Sequence, residues 1–377
     1  MRSMRDPRLG KLAGVLVHYS TGVKPGQLVR INGTCSSLPL VSELVREVLK
    51  AGAHPMLRLN YDEFEELMLS HASEEQLRYV NPVSIGEVEK IDVHIGIWAD
   101  ENTRNLTRAD PHRLSISQAA RKPIFNRFMS RAAEGKLKWV GTQFPTHAHA
   151  QDAEMSLCDY ASFVFGAGLL DHADPIASWR KISTTQQRLV DHLNGKKDYR
   201  VVASNGTDLR MSVAGNTWVN CDGHENFPDG EVFTGPVVDS VEGTVVFSFP
   251  AVHLGREVND VRLTFRNGKV VDASASKGED FLIKMLEMDS GSRSLGECAI
   301  GTNYGITYFT RNTLFDEKIG GTCHFALGAG YPETGNTNQS GLHWDMVVDL
   351  RKGGYVEIDG EKISVDGKFT REGFPTA

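Results

Sequence analysis

Leu28-Val-Arg-Ile-Asn-Gly33 is the segment from which the fold class of the first half of the chain can be predicted. A second segment, which opens with Ser37-Leu38-Pro39, follows it. The pattern predicts a strand over 28–31 that the Asn32-Gly33 turn closes. Apolar residues from Leu40 to Leu49 recur at helical spacing, so they predict a helix that Gly52 ends. A strand followed by a helix is the building unit of a parallel βαβ sheet with helices on both faces.

The alternation of strands and helices continues to about residue 145. We predict strands at Met56–Leu59, Ile91–Ile97 and Lys138–Thr142, helices near 62–70, 74–80 and 124–134, and helical tracts at 150–165 and 175–194. From Tyr199 onward, short β-rich runs with Asn-Gly and Asp-Gly turns predict strands, with one helix at Glu279–Met288. The fold class is therefore α/β: an N-terminal βαβ parallel-sheet domain with a helical bridge over 1–195, and a C-terminal β-rich α+β domain over 196–377.

Length, charge and cysteine content narrow the class of protein. The chain has 377 residues, enough for two domains that each bury a core. Its net charge of −7 is modest and its charges are interspersed, so we expect neither nucleic acid nor a membrane as a partner. The N-terminal stretch lacks the apolar core of a signal peptide. Five scattered cysteines argue against a disulfide framework and against a zinc ribbon, and they suit the cytoplasm.

Candidate metal ligands concentrate in the C-terminal half. Imidazoles and carboxylates are the usual ligands of a catalytic zinc-like ion. Here they stand in short segments, mostly flanked by glycine: Asp229–Thr234, Leu295–Cys298, Asp316-Glu317, Gly321–Gly328 and His343–Asp345. By contrast, we expect His147 and His149, which stand beside Pro145, in a loop.

The segment His343-Trp344-Asp345 carries the strongest physical signal. Residues two apart in a strand share a face, so His343 and Asp345 project together while Trp344 packs behind them. A structural His–Asp hydrogen bond would also explain this pair. Taken singly, His324 fits a hydrogen-bonded core histidine, and Glu231 and Glu297 fit surface glutamates. The combination of separate segments is what favours a metal site.

Longer strings in the chain resemble a known family. The string His324-Phe-Ala-Leu-Gly-Ala-Gly-Tyr331-Pro-Glu-Thr-Gly, followed by Asn338-Gln-Ser-Gly-Leu-His343-Trp-Asp345-Met-Val, resembles the thermophilic aminopeptidase family of metallopeptidases, the M29 group. The resemblance extends over nearly the whole chain and in the family's order, through segments at Leu12–Gly26, Phe144–Ser156, Asp174–Trp179 and Ala275–Leu282.

The resemblance implies an aminopeptidase that releases N-terminal residues from peptides with a free N-terminus. It implies two divalent metal ions per chain (zinc, cobalt, manganese or magnesium) and a homodimer. The implied metal ligands are Glu231, Glu297, Glu317, His324, His343 and Asp345. The segment from Lys318 to Cys323 is longer than in better-known members, so Glu317 departs from the family's spacing. Tyr331 would be the catalytic tyrosine, and Glu297 would bridge the metals or take part in proton transfer.

Two other functions remain open at this point. His324, His343 and Asp345 alone would form the two-His-one-carboxylate triad of a non-haem Fe(II) ring-cleaving dioxygenase. A single iron has no need of Glu231 and Glu297, whereas two metals do, and this favours the peptidase. A metal-stabilised binding protein would give Tyr331 no role.

Overall fold

The computed structural model describes residues 6–61 and 63–376. Residues 1–5 lie outside the described residues; they belong to the N-terminal stretch in which the sequence predicts no signal peptide. Asp62, the first residue of the predicted helix at 62–70, also lies outside the described residues. The chain forms two compact units. The first runs to Ile176 and includes Gly223–Phe227; the second comprises Ala177–Asp222 and the residues from Pro228 onward. The domain boundary near residue 195 stays a prediction.

The α-helices are concentrated in the first unit. They are α1 (Arg8–Val15), α2 (Leu38–Lys50), α3 (Glu63–His71), α4 (Glu74–Arg78), α5 (Pro82–Lys90), α6 (Pro111–Ala133), α7 (His147–Asp152), α8 (Leu157–Ala167), α9 (Pro175–Leu193), α10 (Glu279–Leu286) and α11 (Thr313–Asp316). Among the described residues, no helix is both long and apolar enough to cross a membrane.

The strands become short and frequent in the second unit. They are β1 (Leu28–Thr34), β2 (His54–Asn60), β3 (Val93–Trp98), β4 (Lys138–Gln143), β5 (Asp198–Val202), β6 (Asp208–Ser212), β7 (Val219–Cys221), β8 (Asn226–Phe227), β9 (Glu231–Thr234), β10 (Glu242–Val246), β11 (Ala251–His253), β12 (Arg256–Val258), β13 (Arg262–Arg266), β14 (Lys269–Ser274), β15 (Leu295–Gly301), β16 (Thr322–Gly328), β17 (His343–Asp349), β18 (Tyr355–Ile358), β19 (Glu361–Val365) and β20 (Lys368–Phe369).

The first unit is built on a parallel sheet with the strand order β2-β1-β3-β4-β8. Val29, Ile31, Val93, Ile95 and Val140 on its central strands are buried. The α/β fold class is thus confirmed for this half, and helix α2 stands where its pattern predicts it. The turn predicted at Asn32-Gly33 is wrong, because both residues pair with β2 and the strand continues to Thr34.

The second unit contains two larger antiparallel sheets, with strand orders β14-β13-β10-β6-β5-β18-β19-β20 and β17-β16-β15-β9-β7. One cluster of buried side chains includes Val201 and Leu209 from the first of these sheets and Phe325 and Trp344 from the second. The two sheets therefore share a hydrophobic core, and this confirms the β-rich second half.

Some helical predictions were incomplete or wrong. Helix α6 begins at Pro111 rather than near residue 124, because the Asp110 side chain accepts a hydrogen bond from the His112 backbone N–H at 2.9 Å and Pro111 stands in the first turn. Because most residues of α6 are polar, its few apolar residues do not show a clear helical spacing. His147 and His149 lie on helix α7 rather than in a loop, since Thr146 caps that helix.

Candidate metal centre

The five-stranded antiparallel sheet carries five of the six predicted ligands on one face. Glu231 lies at the start of β9, Glu297 on β15, His324 on β16, and His343 and Asp345 on β17. In the register, Ala326 pairs with Glu297 on one side and with Asp345 on the other. Residues that are paired across strands point to the same face, so these side chains converge.

The opposite face of the same strands is apolar. Its residues Val232, Cys298, Phe325, Trp344 and Met346 all belong to the buried core of the second unit. Strand alternation thus separates the polar site from the core, as the His343-Trp344-Asp345 segment predicts. Cys298 and Cys323, which flank ligands in the sequence, are fully buried in this core.

Small residues stand beside the ligands on the polar face. Ala299 pairs with His324, Gly301 with Glu231, and Gly328 with His343, in addition to Ala326 between Glu297 and Asp345. Gly296 precedes Glu297 at a bulge, where a β-carbon would lie 2.1 Å from the Ala329 carbonyl oxygen. The absence of bulky side chains at the four paired positions, Ala299, Gly301, Ala326 and Gly328, leaves room for imidazoles and carboxylates to meet above the sheet.

Glu297 stands between the two histidines. Its Oε1 lies 3.4 Å from His324 Nε2, and its Oε2 lies 3.5 Å from His343 Nε2. His324 Nε2 is also 3.5 Å from Glu231 Oε2, and His343 Nε2 is 3.5 Å from Asp345 Oδ2. One carboxylate therefore links a half-site around His324 to a half-site around His343.

Both histidines are oriented by backbone carbonyls. The Nδ1 atom of His324 lies 3.0 Å from the Glu317 carbonyl oxygen, and that of His343 lies 2.9 Å from the Ala329 carbonyl oxygen. A carbonyl only accepts hydrogen bonds, so Nδ1 must donate in each case. This arrangement turns Nε2 towards the carboxylates, which is how histidines that bind metals are usually held.

Burial and opposing charge set the pKa values of these groups. Burial raises the pKa of Glu231 to about 8, against the attraction of Lys318 and His324. Burial alone would lower the pKa of the histidines, but neighbouring carboxylates, Glu297 for His324 and Asp345 for His343, raise both to about 10. Burial alone would raise the pKa of Asp345, but the charge of His343 lowers it to about 2. Protons and a divalent cation therefore compete for the same atoms.

Glu317, the sixth predicted ligand, comes from the segment that follows helix α11. Ligand atoms of Glu317, His324 and Asp345 lie within 4.8 Å of one another. The structure thus brings Glu317 to the other five residues, despite its departure from the family's spacing.

Lys318 is a neighbour of the site that sequence reasoning missed, and Asp229, which opens the candidate segment 229–234, lies beside it. The Lys318 side chain is fully buried and forms ion pairs with Glu317, with Glu231 Oε1 at 3.4 Å and with Asp229 Oδ1 at 3.9 Å. Burial alone would lower the pKa of Lys318, but these carboxylates raise it. A lysine is ordinarily solvent-exposed, so no local pattern marked Lys318 as buried.

The donor set fits divalent cations. Glu231, Glu297 and His324 form one group with ligand atoms within 4.8 Å of one another, and Glu297, His343 and Asp345 form another. Glu231 Oε2 and Asp345 Oδ1 are buried and accept no hydrogen bond within the described part of the chain, although His324 Nε2 lies 3.5 Å from Glu231 Oε2. Buried carboxylate oxygens normally have a partner, and two oxygens aimed into a histidine–carboxylate cluster suit metal coordination.

Tyr331 stands at the rim of the cluster. It is 41% exposed, and its ring meets those of His343 and Phe233 edge-on, with ring centres 5.3 Å apart in both cases. Partial burial, and then the negative charge of Glu297 and Asp345, raise the pKa of its hydroxyl. The hydroxyl therefore keeps its proton at neutral pH and can act as a donor.

A groove adjoins the carboxylates. Asp345 and Glu317 line it on one side, while Pro250, Val252 and Phe309 contribute apolar surface. Phe309 is held by a stacked Phe249, whose ring centre is 4.8 Å away. Arg311 also lines the groove, whose free space is about that of one water molecule.

Comparisons with known proteins agree with these observations. A family described as "Thermophilic metalloprotease (M29)" matches residues 5–369. Aminopeptidase 2 of Geobacillus stearothermophilus is 27% identical, over 96% of this chain and 95% of its own length. The fold matches wild-type AmpT from Thermus thermophilus with a TM-score of 0.86 and 23% identity, over 97% and 99% of the two chains. It matches the 2,5-dihydroxypyridine dioxygenase of Pseudomonas putida KT2440 less well, with a TM-score of 0.59 and 12% identity over 97% and 98%.

Proposed function

Since the chain belongs to the M29 family of thermophilic metalloproteases and is therefore a metal-dependent peptidase, we propose that it is an aminopeptidase which releases N-terminal amino acids from peptides. The observation that carries this proposal is the position of Glu297, whose two oxygens face His324 and His343 separately. Two half-sites joined by one carboxylate are what a pair of cations requires.

We propose that the two half-sites hold two divalent cations. The ligands would be Glu231, Glu297, Glu317, His324, His343 and Asp345. The chemistry that such cations supply is activation of water and polarisation of the scissile carbonyl. Four carboxylates suit two cations, because anionic ligands offset the repulsion between neighbouring positive charges.

The chain's own residues would orient the peptide and stabilise charge. Tyr331 is positioned to donate a hydrogen bond to the oxygen on which negative charge develops during attack on the carbonyl. Asp345 and Glu317 carry negative charge beside the groove, where Arg311 is paired with Glu257, and this charge suits a free α-ammonium group. An acetylated N-terminus lacks that charge, so unblocked peptides should be preferred.

The ring-cleaving dioxygenase is not favoured. A triad of His324, His343 and Asp345 around one iron would leave Glu231 and Glu317 without a role, although both lie within the same cluster. The match to the dioxygenase structure at 12% identity concerns the fold alone.

We further propose a cytoplasmic homodimer. All five cysteines are free, which suits a reducing compartment. The homodimer rests on the family resemblance, and light scattering during gel filtration would measure it. The assignment of residues 196–377 as the catalytic domain belongs to the same proposal.

The test measures free amino acids released from matched unblocked and N-acetylated peptides. Chelator-treated protein is resupplied separately with zinc, cobalt, manganese, magnesium or ferrous ions, and bound metal is counted. We expect cleavage of unblocked peptides only, with about two metals per chain. Iron-dependent oxygen uptake on dihydroxylated aromatic rings, without peptide cleavage, would contradict the proposal.

A further inference from the structure

A positively charged side chain is built into the ligand cluster. Lys318 is 0% exposed, and its Nζ contacts Glu317 and lies 3.4 Å from Glu231 Oε1 and 3.9 Å from Asp229 Oδ1. Burying an ammonium is costly unless carboxylates surround it, and here three do. The contacts therefore fix this amine in one place.

The contacts of Lys318 fall on one side of the site. Of its three ion-pair partners in the described chain, Glu231 and Glu317 are proposed ligands that lie with His324. Asp229 lies on the same side but is not among the proposed ligands. Within the described chain, the ion pairs of the other half-site, formed by Glu297, His343 and Asp345, include no lysine. Asp345 also has a ligand atom within 4.8 Å of Glu317 and His324, but Lys318 makes no ion pair with it.

We propose that Lys318 is an internal counter-cation which makes the Glu231–His324–Glu317 half-site bind a divalent cation more weakly than the Glu297–His343–Asp345 half-site. The inference rests on the two-cation site of the proposed function. A cation entering the first half-site must share Glu231 and Glu317 with the ammonium, and positive charges a few ångströms apart repel strongly in a poorly solvated site. Expelling the ammonium would leave it buried without its partners.

Lys318 is a positioning residue rather than a catalytic one. Because its side chain is fully buried, a bound peptide has no access to it. Its effect passes through Glu231 and Glu317, so it should alter the relative affinity of the two half-sites. A merely structural role would change stability or both affinities together.

The experiment is a calorimetric titration of chelator-treated, full-length protein with Mn²⁺, accompanied by electron paramagnetic resonance to count free and spin-coupled ions. For the unsubstituted protein we expect two binding steps whose affinities differ by about tenfold or more. Lys318→Met should tighten the second step by about tenfold and leave the first within about twofold. Lys318→Arg keeps the positive charge, so the affinities of the two binding steps should remain different.

Two further variants control the interpretation. Lys277→Met removes an exposed lysine that pairs with Glu257 at 3.6 Å, and should change neither step. Asp229→Asn removes a partner of Lys318 without removing a proposed ligand. The positive charge of the Lys318 ammonium is then less well offset by carboxylates, so the second binding step should weaken by about threefold or more. This variant also tests the inference if Lys318→Met does not fold, as judged by near-ultraviolet circular dichroism.

Equal affinities in the unsubstituted protein, or a folded Lys318→Met variant with an unchanged or weaker second step, would overturn the inference. So would an Asp229→Asn variant whose two affinities are unaltered. Peptide cleavage is measured separately, on protein with both half-sites filled. Lack of cleavage there counts against the proposed function, whereas the ratio of the two affinities decides the role of Lys318.

Discussion

Two histidines, one on the parallel sheet of the first unit and one on the five-stranded antiparallel sheet of the second, show how neighbouring charges decide the role of an imidazole. On the parallel sheet of the first unit, His94 Nδ1 accepts a hydrogen bond from Arg30 Nε at 3.0 Å, and its ring meets Phe128 edge-on. Burial, aided by the charge of Arg30, lowers the pKa of His94 to about 3. On the antiparallel sheet of the second unit, carboxylates surround His324 and its pKa rises to about 10.

Burial lowers the pKa of both histidines, so burial does not distinguish them. The difference lies in the sign of the nearby charge: a guanidinium beside His94, and Glu231 and Glu297 beside His324. An imidazole that is neutral and already hydrogen-bonded serves packing. One whose Nε2 faces several carboxylates is prepared for a cation.

The largest expected effect comes from removing ligands around the carboxylate that links the half-sites. Glu297→Gln and His343→Ala should each lose bound metal and reduce peptide cleavage by at least about a hundredfold, because Glu297 links the two half-sites and His343 supplies the imidazole of one of them. Metal counting, amino-acid release and circular dichroism would measure metal, activity and fold.

His94→Gln is the matched control for this prediction. It removes a half-buried histidine from the parallel sheet of the first unit and should leave metal content unchanged. If it lost metal as His343→Ala does, the contrast between the two sheets would be wrong. A Glu297→Gln protein that kept full activity would refute the ligand assignment.

Tyr331→Phe should separate binding from chemistry. The hydroxyl lies at the rim and is not among the proposed ligands, so metal content should stay the same. Loss of one donor to the developing oxyanion should lower kcat by about a hundredfold with a smaller change in KM. An unchanged kcat would leave Tyr331 with a packing role against Phe233 and His343 only.

Much of this site could be predicted from sequence because strand alternation is a local property. His343 and Asp345 share a face while Trp344 lies in the core, as the spacing requires. Lys318 could not be predicted, since its environment arises from Asp229 and Glu231, which are distant in sequence. The same holds for His94, whose partner Arg30 lies on a neighbouring strand.

The helices show a similar limit. The apolar period of α2 identified it, whereas the first half of α6 is specified mainly by its cap at Asp110 and Pro111. Periodicity therefore locates the helices that bury one face, and caps are needed for the others.

A smaller effect should follow from filling the space beside the ligands. Ala326→Val adds two methyl groups between Glu297 and Asp345 in the register, so it should weaken metal binding by several-fold, at a cost of about 1–3 kcal/mol in the free energy of unfolding because Ala326 is fully buried. Ala273→Val on the eight-stranded sheet is the control and should leave metal affinity unchanged. Equal metal affinity in both variants would show that the small residues do not set the space at the site.

The smallest effect concerns the pH dependence of stability. Because the pKa of His94 is about 3 in the folded chain and near 6.5 when unfolded, the unfolded chain binds the extra proton between these values. The contribution of neutral His94 to the free energy of unfolding is therefore present above pH 6.5 and is lost as the pH falls towards 3. His94→Gln should reduce this dependence by up to about 1.4 kcal/mol per pH unit. Urea unfolding of chelator-treated protein at pH 7, 6, 5 and 4 would measure it, and parallel pH profiles for the two proteins would show that the neighbours of His94 do not hold it neutral.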